Sequence, residues 1–292
     1  MIKTRLFGGL GNQMFQYAVG RALSLRLKTN LGLDLSWFDD NKYLDTNRQF
    51  GLDAFNIASR KLERVDLKGI KLRRFFSKFG LSSKNYIKEK YFNFNKDIVH
   101  LSDDVYLDGY WQSEKYFSDF EETIKNDFNL RYPLSREAAG VHEIIIHAPV
   151  SCAIHIRRGD YVVNPGINFY HGACSLRYYR DAVDYIKKYS LSTEVSFFVF
   201  SDDINWVKKN FIIEKGIFIE FENRDGFKDQ EEMILMSRCQ HQIIANSTFS
   251  WWGAWLNKNK QKIILAPDKW FNNVLIDTKD LLPDSWIKIK RD

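Results

Sequence analysis

Proline and cysteine are scarce in this chain, with five and three copies in 292 residues, and no stretch approaches the roughly 20 consecutive apolar residues that span a bilayer. Few prolines, 45% hydrophobic residues and 27% charged ones exclude a disordered or low-complexity protein. The three cysteines, Cys152, Cys174 and Cys239, are odd in number, far apart and form no CxxC. That excludes a disulfide framework and a cysteine zinc site, and points to a reducing compartment. No HExxH, no paired histidines at ligand spacing and no Walker lysine loop occur, so metal and P-loop chemistry lack support. The opening MIKTRLFGGLGNQ has no apolar core of leader length, and the expectation is a cytoplasmic protein.

What is present fits two domains, each large enough to bury a core. The net charge of +6 is local, because residues 60–90 hold eleven Lys and Arg against three acids. Phe75, Phe76 and Phe79 are interleaved with those charges in KLRRFFSKFG. Such a segment suits an anionic membrane surface or a phosphate-bearing partner, and equally a solvated segment with anchoring aromatics.

The N-terminal region reads as a βαβ unit: a strand-like IKTRLF, the turn GGLGNQ, then a helix with Met14, Ala18, Ala22 and Leu25 at helical spacing, then the alternating LGLDL. Residues 38–130 carry weaker signals, including YLDGYWQSEKYF, where clustered Tyr and Trp serve either packing or sugar stacking. From about 150 the strands CAIHI, VSFFVF, IFIEF, QIIA and KIILA alternate with helical segments such as LRYYRDAVDYIKKY, where Leu176, Tyr179, Val183 and Ile186 share a face. Strands alternating with helices predict a parallel sheet covered on both faces. RYPLSREAAG marks the boundary, giving domains 1–145 and 146–292.

Every strand of the second half ends in polar residues: HIRRGDY, SDD, ENRDG, NSTFSWW and PDKW. Ligands bind outside the carboxyl ends of open parallel sheets, so these ends predict one site. Two adjacent arginines after an apolar strand require an anion or a carboxylate. Arg157 is the one expected to face a ligand, since a guanidinium fork matches phosphate oxygens, and Asp160 is expected to hold Arg158. His155, within the strand, fits a core imidazole better than a catalyst. Ser247 or Thr248 would cap an aromatic helix whose N-terminus is an anion site. Asp202 and Asp203 fit either a nucleoside contact or a helix cap. Gly8, Gly9 and Gly11 permit close backbone approach. Followed by Asp34, that turn also suggests an NAD-dependent Rossmann enzyme, but Met14 stands where the third glycine belongs.

GGLGNQMFQYA at 8–18, HIRRGDY at 155–161, FSDD at 200–203 and NSTFSWWGAWLN at 246–257 resemble, in order, the signature blocks of the bacterial alpha-1,2-fucosyltransferases, glycosyltransferase family 11. The resemblance implies an α/β protein of GT-B type, two Rossmann-like domains facing a cleft, with GDP-β-L-fucose held mostly by the C-terminal domain. It implies no cofactor and no divalent cation. Carried over by position, Arg157 would contact the diphosphate and Asp160 closes that motif. Donor binding would extend to His155, Arg158, Asp202, Asn246, Ser247, Thr248 and Ser250, with Gly9, Gly11, Asn12 and Gln13 in the N-terminal loop. Residues 38–130 match no block, and acceptor choice would reside there.

The implied reaction is an inverting displacement in which the 2-hydroxyl of a terminal β-galactoside attacks the anomeric carbon as GDP leaves. Candidates for accepting the proton are Asp160 and, from the N-terminal domain, Asp108. The implied partners are GDP-fucose and a galactose-terminated or lipid-linked glycan such as an O-antigen, with no nucleic acid. Residues 60–90 would then touch the inner membrane face. A basic membrane- or nucleic-acid-binding protein is the non-enzymatic alternative.

Overall fold

The computed structural model describes residues 1–40, 48–77, 85–163, 165–190, 194–221 and 227–292, the side chains of a few of these excepted. The chain divides into unit 1, Met1–Arg131 with Asp277–Pro283, and unit 2, Tyr132–Ile276 with Asp284–Asp292. The division thus falls before the expected 145/146 boundary. REAAG is not linker: Ser135 caps a helix there by accepting from the Ala138 amide, and Glu231, far along the same unit, accepts from the Ser135 amide and hydroxyl. The late segment 277–283 belongs to unit 1 because Asp280 accepts from the Phe94 amide at 3.0 Å and pairs with Lys115.

Unit 1 contains β1 (Ile2–Arg5), β2 (Leu31–Asp34), β3 (Arg60–Lys61), β4 (Tyr86–Lys88) and β5 (Tyr106–Asp108), with helices α1 (Leu10–Arg26), α2 (Ser36–Asp40), α3 (Ile70–Ser77) and α4 (Glu121–Asp127). Its strands pair in parallel in the order β3-β2-β1-β5-β4. The expected βαβ unit is β1-α1-β2. Burial on α1 is not confined to one stripe: Met14, Ala18 and Ala22 are buried as expected, but so are Gln13, Gln16 and Ser24. Two of these side chains bond to backbone, Gln16 accepting from the Phe7 amide and Ser24 donating to the Arg21 carbonyl.

Unit 2 contains α5 (Arg136–His147), β6 (Val150–Ile156), α6 (Gly159–Val163), α7 (Pro165–His171), α8 (Leu176–Tyr189), β7 (Val195–Ser201), α9 (Ile204–Asn210), β8 (Gly216–Phe218), α10 (Lys228–Arg238), β9 (His241–Ile243), α11 (Thr248–Trp255), β10 (Ile264–Pro267) and β11 (Ile287–Ile289). The sheet is parallel, ordered β11-β10-β9-β6-β7-β8. β6 is buried throughout, which explains its unbroken apolar run, and α8 packs Tyr179, Val183 and Ile186 against Ile154, Ile156, Phe197 and Val199.

Counted from its own first strand, unit 2 has the order 3-2-1-4-5-6 of doubly wound nucleotide-binding sheets. Connections run one way from β6 through β7 to β8 and the other way from β9 onward, so the switch point lies between the ends of β6 and β9. In unit 1 the chain crosses from β3 at one edge to β4 at the other and returns to β5 beside β1. Ligands of such sheets bind outside the strand ends at the switch.

Candidate active site

At the end of β6 the two arginines acquire different partners. Arg157 Nη1 lies 3.0 Å from Asp202 Oδ2, and the other oxygen of Asp202 accepts from the Arg158 amide at 2.8 Å. The carboxylate that follows β7 therefore clasps the loop that follows β6. The clasp needs Gly159, because a Cβ there would stand 2.4 Å from Asp202 Oδ2. Arg158 finds its described partners after β7. Its Nε points to Asp203 Oδ2 at 3.4 Å and its guanidinium lies over the Trp206 ring, 3.3 Å from the centroid. Asp203 in turn caps α9 through the Trp206 amide, so one helix start supplies both the carboxylate and the ring. The side chain of Asp160 lies outside the described residues.

The loop after β9 closes on the loop after β6. Tyr161 donates its hydroxyl to the Asn246 carbonyl at 3.1 Å, and the rings of His155 and Phe249 are 5.4 Å apart. His155 is buried, and burial, reinforced by the charge of Arg157, pushes its imidazole down to about 3. It is a neutral side chain in the wall of the site, as its place within the strand suggests.

Two of the expected donor contacts, Asn246 and Ser250, have other occupations. The Asn246 amide is fully buried and directed at the carbonyls of His171, Gly172 and Trp270, at 2.9 to 3.1 Å. Ser250 donates back to the backbone of the preceding turn. Both brace the switch-point loop. Ser247 occupies the cap position of α11, but its hydroxyl makes no capping bond. The first turn of α11, from Thr248, thus starts at the carboxyl edge of the sheet with its N-terminal amides uncapped by that side chain.

In unit 1 the glycine turn follows β1, with Gly8 in the left-handed region at φ 79°. A Cβ on Gly9 would meet only Arg48, at 3.9 Å, so the backbone is open to close approach there. Gly11 is buried in the first turn of α1. Gln13 is committed to structure, its amide donating to the carbonyls of Gly8 and Gln49 and accepting from the Gly51 amide. Asn12 accepts from Gln112 at 2.9 Å, which ties the loop after β1 to the loop after β5. Asp34 is buried, accepting from the Ser36 amide and the Tyr106 hydroxyl, and does not present a carboxylate for a ribose. Asp108, a candidate proton acceptor, has one oxygen on Arg5 Nη1 at 3.0 Å and the other on the Tyr86 hydroxyl.

This set of strand-end arginines, paired carboxylates and a helix start at a switch point suits a diphosphate, and comparison with known proteins fixes the family. The model of Glycosyl transferase family 11 matches residues 1–290. The chain belongs to that family. It is a glycosyltransferase, which sets aside the NAD-dependent and non-enzymatic alternatives. It is 36% identical to an alpha-1,2-colitosyltransferase of Escherichia coli, over 100% of this chain and 99% of that protein. It is 35% identical to the O-antigen biosynthesis glycosyltransferase WbnK of the same organism, over 97% and 99%. The galactoside alpha-(1,2)-fucosyltransferase 1 of Saimiri boliviensis boliviensis is 24% identical over 98% of this chain and 74% of its own length. Among solved structures, NodZ alpha-1,6-fucosyltransferase soaked with GDP-fucose superposes with a TM-score of 0.53 at 14% identity, over 87% of this chain and 91% of NodZ. That likeness carries the GT-B fold. Just beyond the FSDD block, sequence reading missed Trp206 as the ring under Arg158. The signal was there: Asp203 and Trp206 stand at cap and N3 spacing.

Proposed function

We propose that the chain transfers L-fucose, or a closely related 6-deoxy sugar, from its GDP-β-linked donor to the 2-hydroxyl of a terminal β-galactoside, with inversion at the anomeric carbon. The observation that carries this reading is the meeting of Arg157, Arg158 and the start of α11 at the switch point of unit 2, in a member of family 11. Arg157 is assigned to the donor diphosphate and Arg158 to the same charge from its place over Trp206. The amides of Thr248 and its neighbours add the helix dipole. Together they offset the charge that grows on GDP as the C1–O bond breaks, a task that needs no divalent ion in this scheme. Asp202 acts as the carboxylate that orients Arg157, with a nucleoside contact as its second role. Gly9, Gly11 and Asn12 supply the open backbone of the N-terminal loop, while His155, Asn246, Ser247 and Ser250 shape the donor loop.

Donor identity has a second reading, favoured by the colitosyltransferase relative. Colitose is fucose without its 3-hydroxyl, so the two donors present the same GDP group and the same anomeric chemistry. We assign the acceptor to an O-antigen or similar surface glycan, in keeping with the WbnK relative, and the enzyme to the cytoplasm. Incubation with GDP-fucose and GDP-colitose against a panel of β-galactosides, with the linkage read by NMR, tests donor, acceptor and linkage. An α-1,2 product is expected. A different linkage, or GDP release from neither donor, overturns the reading.

A lipid-linked acceptor would explain the basic segment. Val65, Leu72 and Phe75 are exposed among its charges, whereas Phe79 and the side chain of Phe76 lie outside the described residues. No helix among the described residues is long and apolar enough to cross a membrane. Flotation with anionic vesicles at low and high salt tests peripheral contact, and absence of binding at low salt removes it.

A further inference from the structure

The carboxyl edge of unit 1 carries a carboxylate that the donor chemistry does not use. Glu89 directly follows β4, and its amide donates to the Asp108 carbonyl at 3.0 Å. Its carboxylate accepts from two successive backbone amides, Tyr110 at 2.6 Å and Trp111 at 3.0 Å. The chain is bent around it to do so. A Cβ on Gly109 would stand 2.4 Å from the Glu89 Cβ, and Trp111 takes a left-handed φ of 57°, a conformation uncommon for a non-glycine residue. Trp111 is anchored by its buried ring, packed edge-on against Tyr116. Tyr110 is left outward, 41% exposed, with its ring 4.9 Å from that of Phe7 beyond the end of β1.

The neighbouring carboxylates at this edge are occupied. Asp34 serves α2 and Tyr106, and Asp108 is held between Arg5 and Tyr86. Glu89 is partly exposed, and each of its oxygens keeps acceptor capacity after one amide bond. We propose that Glu89 binds the attacking hydroxyl of the acceptor and takes its proton, with the Tyr110 ring as the face on which the acceptor sugar rests. This deepens the transfer reaction above and rests on it. In the step, the hydroxyl oxygen forms the bond to the anomeric carbon while the C1–O bond to GDP breaks. The electron pair of that bond leaves with GDP, and the hydroxyl proton ends on Glu89.

The environment suits that role at neutral pH. Burial raises the Glu89 carboxyl to about 7, against the two amide bonds, and the charge of Asp108 adds to the rise. Tyr116 feels Glu89 in turn, and Lys88 and Lys90, its chain neighbours, are exposed. A base of this strength is deprotonated above pH 7 and matched to proton transfer near it.

Kinetics of E89Q and E89D, with GDP-fucose and a β-galactoside, decide the matter. For E89Q, kcat for transfer should fall on the order of 10²- to 10⁴-fold. GDP affinity by calorimetry should stay within twofold and the melting temperature should hold. The acid limb near pH 7 in kcat/KM should vanish in E89Q and return in part in E89D. Tyr110→Ala should raise the acceptor KM about tenfold and leave the donor KM alone, as a lost stacking face would. Transfer within threefold of wild type in E89Q overturns the role of Glu89 and leaves the reaction standing. A parallel loss of transfer, GDP affinity and melting temperature in both variants makes Glu89 a clamp for the Tyr110–Trp111 turn, which also overturns it. Failure of the wild-type protein to release GDP from either donor overturns the reaction itself.

Discussion

The two parallel sheets end in opposite chemistry. At the carboxyl edge of unit 2, Arg157 pairs with Asp202 while keeping 20% of its side chain exposed, and its partner keeps 23%. At the carboxyl edge of unit 1, Arg5 pairs with Asp108 at the same 3.0 Å, but each side chain is only 9% exposed. One pair is open to an incoming anion. The other is closed inside a cluster with Tyr86, and the residues left outward around it are Glu89 and Tyr110. The same ion-pair distance is therefore part-exposed in one unit and enclosed in the other, and exposure is the difference between them. An arginine-rich edge suits a diphosphate, whereas a carboxylate beside an aromatic ring suits sugar hydroxyls.

Matched arginine variants provide the strongest way to break that contrast. Arg5→Ala leaves a buried, uncompensated carboxylate at Asp108 and should destabilise unit 1 by about 3–5 kcal/mol, read by denaturant unfolding. Arg157→Ala should leave stability nearly unchanged, because its carboxylate partner is partly hydrated. It should instead lower kcat/KM for transfer by about 10²–10³, the loss expected when a donor to developing charge is removed. Should the two variants show the same phenotype, whether loss of stability or loss of turnover, exposure does not separate the two edges.

What could be read in the sequence follows the length of each element. β6 and β7, each seven residues and buried along nearly their whole length, announce themselves as apolar runs, and α8 coincides with its predicted segment at Leu176–Tyr189. β3, β4 and β5 hold two or three residues apiece, too few for an alternating pattern to show. β4 and Glu89 are further hidden within the basic segment, where lysines and arginines dominate any reading by charge. HIRRGDY and FSDD were legible because they follow the two seven-residue strands. The partner assignments were not: Arg158 with Asp203 and Trp206, or Asn246 with three carbonyls, depend on which strand ends meet, and strand order is not written in spacing.

Protonation sharpens the comparison at a smaller scale. Burial acts on both edges, lifting the carboxyl of Glu89 in unit 1 and depressing the imidazole of His155 in unit 2. The native state of unit 2 holds His155 neutral to about pH 3, while the unfolded chain protonates it near 6.5. Between those values the unfolded state binds more protons, so stability should fall as pH drops below 6.5 and go on falling toward 3. At pH 5 this one group should cost about 2 kcal/mol. His155→Phe should flatten that part of the stability profile, measured by unfolding at pH 7 and pH 5. An unchanged pH dependence would mean that the imidazole gains a partner for its charged form on protonation.

The smallest expected effect addresses whether Arg158 belongs to the ligand edge or to the scaffold. Its guanidinium lies on the face of Trp206, and its Nε contact with Asp203 is long at 3.4 Å, so the ring does more than the carboxylate to fix the plane. A cation–π contact of this kind contributes about 0.5–2 kcal/mol. Trp206→Ala keeps the charge of Arg158 and the Asp203 cap of α9 but releases the guanidinium from its plane. If that plane presents the fork to a diphosphate, GDP affinity by calorimetry should weaken about three- to tenfold with little change in melting temperature. If Arg158 only braces the loop after β6, the melting temperature should fall while GDP affinity holds. That second outcome would leave Arg157 as the arginine of the pair that acts on the donor.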